Sequence, residues 1–596
     1  MSLVFLIFPM SPKNPRNWHF AVDLVFIGLA IAGGIYIELI QDQLMHRYGH
    51  PNVADMFFGI STGLLTLEIA RRTIGWPMIA TVGAFLAYAV FGNLIPGHFG
   101  HRGYSPDLLV NVFYMDLGGI YGSALGVVVD FVVLFVLFGA FLQRTGAGAF
   151  FIDLAQALTG SLRGGPAMTA VTASALMGSI SGSATANVVT TGTITIPLMI
   201  RLGYPRHVAA GIETAASVGG VIMPPVMGAA AFLIVALTGI PYTEIVKAAL
   251  IPSLLYFFSL YAYAYIMARR YNVAVSERHE HYWRHLGSVT LRGIPYIVPL
   301  VLLVYMLLSG YSATYAAFMS IVALVISSFV FRQSRMSLSD IGSALEDGAR
   351  NSLAVSAACA AAGLIVGVVA LTGIGVKFSS LIVSGTNDSI FLGVLLVGLG
   401  SLVMGMELPI TASYLIMAVL AGPALTALGV PLLVAHLIIL WFSIDSAVTP
   451  PVCITAYVAA GIAKANPFKT GFAAWRAAKG LYLIPFLMAF TAITGNGALP
   501  DILLGIASAA VGLVALSAVF IGYFIRRTTI LERLLLGVVV GFTIYPTQFS
   551  SLIGFILMGA VITSQLISKG NTVEETVYAS QEAIELTPPS STNSNE

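Results

Sequence analysis

Pro224-Pro225-Val226 and Pro450-Pro451-Val452 are the same three residues set 226 positions apart in a chain of 596. Held fixed, that offset keeps finding matches without a gap. Thr185-Ala186 falls on Thr411-Ala412, Pro197 on Pro423, Leu202-Gly203 on Leu428-Gly429 and Pro205 on Pro431. Further on, Val208-Ala209 meets Val434-Ala435, Pro241 meets Pro467 and Leu255-Tyr256 meets Leu481-Tyr482. A constant register over about seventy residues, punctuated by prolines and glycines at matching places, is a duplication rather than a chance likeness of apolar helices. Each Pro-Pro pair removes two amide donors and clashes with carbonyls one turn back, so each repeat contains a helix that opens in its middle.

The rest of the chain says where such helices live. It is 58% hydrophobic and 9% charged, with mean hydropathy +0.91, where a soluble chain carries about 25% charged residues. No charge falls between Gly164 and Ile200, Gly293 and Phe331, Gly480 and Pro500, or Leu534 and Ser568. Each run exceeds the roughly 20 residues a helix needs to cross about 30 Å of hydrocarbon. A net charge of +2 leaves no nucleic-acid footprint. No lysine sits in a G-x-x-x-x-G-K-[ST] context, which excludes an ATP motor on this chain. H-E-x-x-H does not occur, and His207 and His436 read as hydrogen-bonding residues between packed helices. Cys359 and Cys453 lie in apolar runs and read as small packing residues.

The first ten residues lack a basic n-region and a small-residue cleavage site, so no cleavable signal is expected. The first span, about Trp18 to Ile40, follows Lys13 and Arg16 and can serve as an uncleaved anchor. Residues Asn571 to Glu596 carry five glutamates and no basic residue, the composition of a solvated tail.

Basic residues near span ends stay cytoplasmic and set the orientation. Arg144 and Arg163 precede the first repeat, and Arg201 and Arg206 return the chain to the same side. The 36 residues from Gly165 to Ile200 barely allow two crossings and a turn, so they read as a re-entrant hairpin. Its tip lies within Ser179 to Asn187, polar backbone tolerable at depth only when buried in protein or lining a cavity. In the second half Arg332, Arg335 and Arg350 are inside, and Asn351 to Gly375 carries the chain out. The matching hairpin, about Ser389 to Leu428 with its tip at Gly405 to Ser413, then opens to the other side. Lys464, Lys469, Arg476 and Lys479 close that repeat on the cytoplasmic face.

The expected fold is therefore an all-α polytopic membrane protein with antiparallel repeats, each a re-entrant hairpin plus a broken helix. Inverted repeats with broken helices characterise secondary transporters. Freed carbonyls can bind a cation, while a half-helix N-terminus can hold a carboxylate. Pro224 and Pro450 are each expected at a mid-membrane break facing the opposite hairpin tip.

At these residues the chain resembles the membrane component of a tripartite ATP-independent periplasmic (TRAP) transporter, most of all the TAXI branch with fused small and large membrane subunits. The resemblance rests on Phe138 to Phe151, Gly178 to Met199 (GSISGSATANVVTTGTITIPLM), Glu213 to Phe232 (ETAASVGGVIMPPVMGAAAF) and Asp445 to Ala463 (DSAVTPPVCITAYVAAGIA). It covers roughly residues 60 to 495. It implies a multi-pass protein of the bacterial inner membrane, driven by an ion gradient and moving as an elevator. A periplasmic TAXI-type binding protein would deliver a small carboxylate, and no cofactor is implied. The corresponding organisation is a small-subunit-like region (1–145), a first repeat (146–270), connecting scaffold helices (271–350), a second repeat (351–499), C-terminal transmembrane helices (500–569) and a disordered tail (570–596).

The candidate substrate and ion site is drawn from four segments. The first hairpin tip supplies Ser181, Gly182, Ser183, Thr185 and Asn187, and the first broken helix Ser217, Gly219, Gly220, Pro224 and Pro225. The second tip supplies Glu407, Pro409, Thr411 and Ser413, and the second broken helix Asp445, Ser446, Thr449, Pro450 and Pro451. Sodium sites of related transporters use carbonyls and hydroxyls, so the acids Glu407 and Asp445 tilt the coupling ion, H+ or Na+, toward protons. Glu213 and Glu68 are weaker candidates, and Glu68 has Arg71 and Arg72 within a turn, as in an interfacial ion pair. The rival within transport is a stand-alone elevator symporter needing no binding protein. A channel would conduct without saturating, and a membrane-embedded enzyme would need a convergent nucleophile and base that the sequence lacks.

Overall fold

The computed structural model describes residues 1–10, 18–273, 282–406, 408–544 and 547–567. Glu407 and the C-terminal tail from 570 therefore lie outside the described residues. The described chain is helical throughout, without a strand, and ten of its helices are long and apolar enough to cross a membrane.

The offset of 226 residues carries over from sequence to helix boundaries. The first hairpin has arms Gly165–Ser181 and Ala184–Arg201, and the second Ile390–Gly405 and Ile410–Ala427. The first broken helix runs Arg206–Gly220 and Ala229–Thr238, the second Leu432–Asp445 and Ile454–Ala463. Local chemistry explains the agreement. Gly203 and Gly429 end the hairpins at φ +110° and +93°, a left-handed stop that glycine makes without a Cβ clash. Pro205 and Pro431 follow as the residues that open the next helices, where a missing amide costs nothing. Pro224-Pro225 and Pro450-Pro451, both cis, occupy the gaps between the half-helices.

Within each repeat the two hairpin arms pack on one another and on the first half of the broken helix. The contacts between repeats are reciprocal. Ile454–Ala463 lies against Ala184–Arg201 and Arg206–Gly220, while Ala229–Thr238 lies against Ile410–Ala427 and Leu432–Asp445. Arg206 seals one of these crossings by donating to the Ala463 carbonyl at 3.1 Å. His436 bridges the second hairpin and its broken helix, as its position suggests, with Nδ1 2.8 Å from the Tyr414 hydroxyl.

Long helices frame this unit. Tyr242–Arg270 packs on the first repeat and on Leu499–Ile521. Leu338–Thr372, 35 residues long and continuous through position 350, packs on Val133–Arg144, the second hairpin and the N-terminal helices Val53–Thr73 and Trp76–Phe91. Near the N-terminus, Arg72 ties three segments together. It meets Glu68 at 2.7 Å and Asp23 at 2.7 Å, the latter an ion contact outside hydrogen-bond angles, and donates to the Phe8 carbonyl at 3.0 Å. Cys359 and Cys453 are buried, unpaired and far apart in the chain.

Candidate functional site

Both breaks leave backbone without helical partners, and the nearest hairpin tip covers it. The Val226 amide donates to the Ser179 carbonyl at 3.2 Å, and Gly182, at φ +60°, brings its backbone so close that a Cβ would stand 3.0 Å from the Met227 carbonyl. In the second repeat a Cβ on Gly405 would fall 2.5 Å from Ser446. The first break thus sits on the tip of its own hairpin, not the opposite one as expected, and Ser446, just before the second break, lies on its own tip. The reason is chain length, since only Leu202 to Pro205 separate the first hairpin from its broken helix. What reaches across is the first turn of the second half-helix, where the Thr455 hydroxyl lies 3.3 Å from that of Thr185.

The hydroxyl groups named from sequence fall into two kinds. Ser183 caps the second arm of its hairpin and accepts from the Ala186 amide at 3.4 Å, and Ser446 turns back to the Ser443 carbonyl. Thr449 bonds the Asp445 carbonyl and the Tyr482 hydroxyl, each at 2.7 Å. Ser181 and Ser413 have buried Oγ atoms without a hydrogen-bond partner among the described residues. Thr411 is buried in the first turn of its arm, with Pro409 as the residue before it. Asp445 is the sharpest feature. It is fully buried beside the Tyr482 hydroxyl, yet neither carboxylate oxygen has a hydrogen-bond partner among the described residues. A buried acceptor left open costs about 1–3 kcal/mol and more when charged.

The first repeat is organised differently. Asn187 is buried and donates from Nδ2 to the Ser174 carbonyl at 2.9 Å, joining the two arms of the hairpin. Ser217 donates to Glu213 at 3.3 Å, and the same carboxylate receives Ser174, Thr191 and Thr195. Glu213, a weaker candidate from sequence, carries one legible signal: Thr191 and Thr195, and Glu213 and Ser217, are four residues apart and so share helix faces. Gly219 and Gly220 let the helices touch. A Cβ on Gly219 would stand 2.0 Å from the Tyr256 ring, and one on Gly220 2.6 Å from the Gly178 Cα and 2.8 Å from the Ser174 carbonyl. The two nearest neighbours of Gly220 are backbone and cannot turn aside. Gly220→Ala is expected to cost about 1–3 kcal/mol, read as a lower thermal unfolding midpoint of the purified protein. An unchanged midpoint would contradict this close approach.

Among known proteins, the family described as "Tripartite ATP-independent periplasmic transporter, DctM component" matches residues 62–494. That match enters the region read as small-subunit-like at residue 62. The chain is 28% identical over 336 residues to the C4-dicarboxylate TRAP transporter large permease protein DctM of Pseudomonas aeruginosa, covering 55% of this chain and 76% of that one. It is 25% identical over 336 residues to the isethionate TRAP transporter permease protein DctMQ of Oleidesulfovibrio alaskensis, covering 56% and 52%. The ectoine/5-hydroxyectoine TRAP transporter large permease protein UehC of Ruegeria pomeroyi is 28% identical over 286 residues, covering 47% and 61%. The chain therefore spans between half and about three quarters of the length of these relatives. A match over most of the chain, joined to ten membrane-length helices, means that this protein belongs to the DctM component family of TRAP transporters, multi-pass permeases of the bacterial inner membrane.

Proposed function

We propose that this protein is an ion-coupled secondary active importer of a small organic acid, supplied by a periplasmic TAXI-type binding protein and moved by an elevator motion. The observation that carries the reading is the pair of hairpin and broken-helix units, whose second half-helices pack reciprocally on one another's hairpins. Together with the opposite placement of basic residues in the two halves, this supports repeats inverted in the membrane. Reciprocal packing makes the two units one body, which can slide against the frame of Tyr242–Arg270 and Leu338–Thr372. Relatives whose names specify a C4-dicarboxylate and isethionate support an organic anion as cargo. The fused small-subunit reading of residues 1–145 rests on the sequence resemblance, and residues 1–61 precede the family match. The coupling ion is H+ or Na+, and the open carboxylate of Asp445 favours a site that neutralises charge.

The test is uptake of a labelled C4-dicarboxylate by proteoliposomes, with and without the binding protein. Accumulation only with the binding protein supports the reading. Equal accumulation without it would make the protein a stand-alone symporter, and non-saturating flux would make it a channel. Ser183→Ala and Thr411→Ala are expected to lower uptake while the protein still folds, Ser183→Ala giving up only the roughly 1 kcal/mol of its N-cap. Normal uptake in both would take these hydroxyls out of the site.

A further inference from the structure

Glu213 is fully buried where both arms of the first hairpin meet the first half of its broken helix. Its carboxylate is ringed by hydroxyls. Oε1 receives Ser174 at 2.7 Å, Thr191 at 2.5 Å and Ser217 at 3.3 Å, and Oε2 receives Thr195 at 2.6 Å. Among the described residues no lysine, arginine or backbone amide takes part.

Charged groups on the surrounding helices sit elsewhere. Arg201 ends the second hairpin arm, and Arg206 and His207 open the helix that carries Glu213. Lys469 and Arg476 lie on Pro467–Ala477, and Ile454–Ala463 offers only Tyr457. Tyr242–Arg270 carries the Glu244–Lys247 pair, Arg269, Arg270 and Tyr256, whose hydroxyl donates to the Ala215 carbonyl at 2.7 Å. None of these is among the groups that bear most on the carboxylate, which are the four hydroxyls.

The second repeat shows what the fold requires at this place. At the same offset, Ser174, Thr191, Thr195 and Glu213 become Gly400, Met417, Ala421 and Ile439, and only Ser217 keeps its type, as Ser443. The same three helices pack together there with no acid at the matching position, joined instead by the Tyr414–His436 hydrogen bond one turn away. Holding a hairpin to its broken helix therefore needs neither the acid nor the ring. A charge buried with no cation costs several kcal/mol, so an acid the duplicate does without has another use.

Hydroxyls, unlike arginine or amide donors, accommodate both forms of the acid. When Glu213 is ionised, Thr195 donates to Oε2. When it is protonated, Oε2–H donates to the Thr195 oxygen, and Thr195 turns its own proton to the Thr191 carbonyl, 3.0 Å away. Thr191 likewise has the Asn187 carbonyl at 2.8 Å as a second acceptor. One proton is taken up, one hydroxyl rotates, and no buried donor is stranded. The hydroxyl oxygens touch the carboxylate directly, leaving no gap for a metal ion between them.

We infer that Glu213 and its hydroxyl ring form a reversible proton-binding site that loads and unloads during transport. The inference rests on the ion-coupled reading proposed above, and it makes H+ a coupling ion. It is tested on the full-length protein in two ways. Infrared difference spectra over a pH titration in nanodiscs compare wild type with Glu213→Gln, with Asp445→Asn identifying the band of the buried acid in the second repeat. We expect a protonated-carboxyl stretch that titrates in wild type and is missing in Glu213→Gln. In proteoliposomes with a binding protein, Glu213→Gln is expected to keep C4-dicarboxylate counterflow and lose accumulation driven by a pH gradient. Absence of the band, or wild-type accumulation in Glu213→Gln, would overturn the site. Should Glu213→Gln not fold, Thr195→Val must shift the same band, and an unmoved band counts against the ring. A wild type with neither accumulation nor counterflow defeats the importer reading instead, and the infrared titration alone then decides whether the ring binds a proton.

Discussion

Arg72→Met is expected to cost about 3–5 kcal/mol of stability, because it leaves a buried carboxylate without its cation. Arg72 and Asp23 are 4% and 2% exposed, and Glu68, which shares the guanidinium, is about one-fifth exposed. Breaking such a group from the positive side strands Asp23, whose remaining contact among the described residues is the Met10 amide at 3.1 Å. The helices Trp18–Leu39 and Val53–Thr73 would then lose the clamp that holds them to the first ten residues. The measurement is the unfolding midpoint of purified protein in detergent, for Arg72→Met, Asp23→Asn and the double variant. The double variant should recover a large part of the loss, since no lone charge remains. Equal midpoints for wild type and Arg72→Met would show the cluster to be solvated.

Asp445→Asn is expected to separate stability from transport. The amide has nearly the shape of the carboxylate and carries no charge, so it relieves a buried acceptor that has no partner among the described residues. Relief of that kind is worth about 1–3 kcal/mol, which predicts an unfolding midpoint equal to or above that of wild type. Uptake should nevertheless fall to background, in sodium and in a pH gradient alike, if the open carboxylate neutralises the coupling ion. Lower stability with normal uptake would mean that Asp445 serves packing. Loss confined to the pH-driven assay would assign protons to this acid as well as to Glu213.

Much of the fold was legible because proline and glycine act on their own backbone. Pro205 and Pro431 open helices, Gly203 and Gly429 close hairpins, and the two Pro-Pro pairs interrupt helices wherever the rest of the chain goes. The Glu68 pair with Arg71 and Arg72 was equally readable, since residues three and four apart on a helix are neighbours by geometry. Tertiary packing decided what no local rule reaches. Arg72 takes Asp23, 49 residues away, as a second partner only because two helices cross there. The first break lies on its own hairpin tip because a four-residue link holds it there, while Thr455, just past the second break, crosses to Thr185 of the other repeat. Glu213 stood in the sequence as one acid in an apolar helix. Its four hydroxyls come from three helices, and contacts between helices are set by which faces interlock, a choice the whole core makes together.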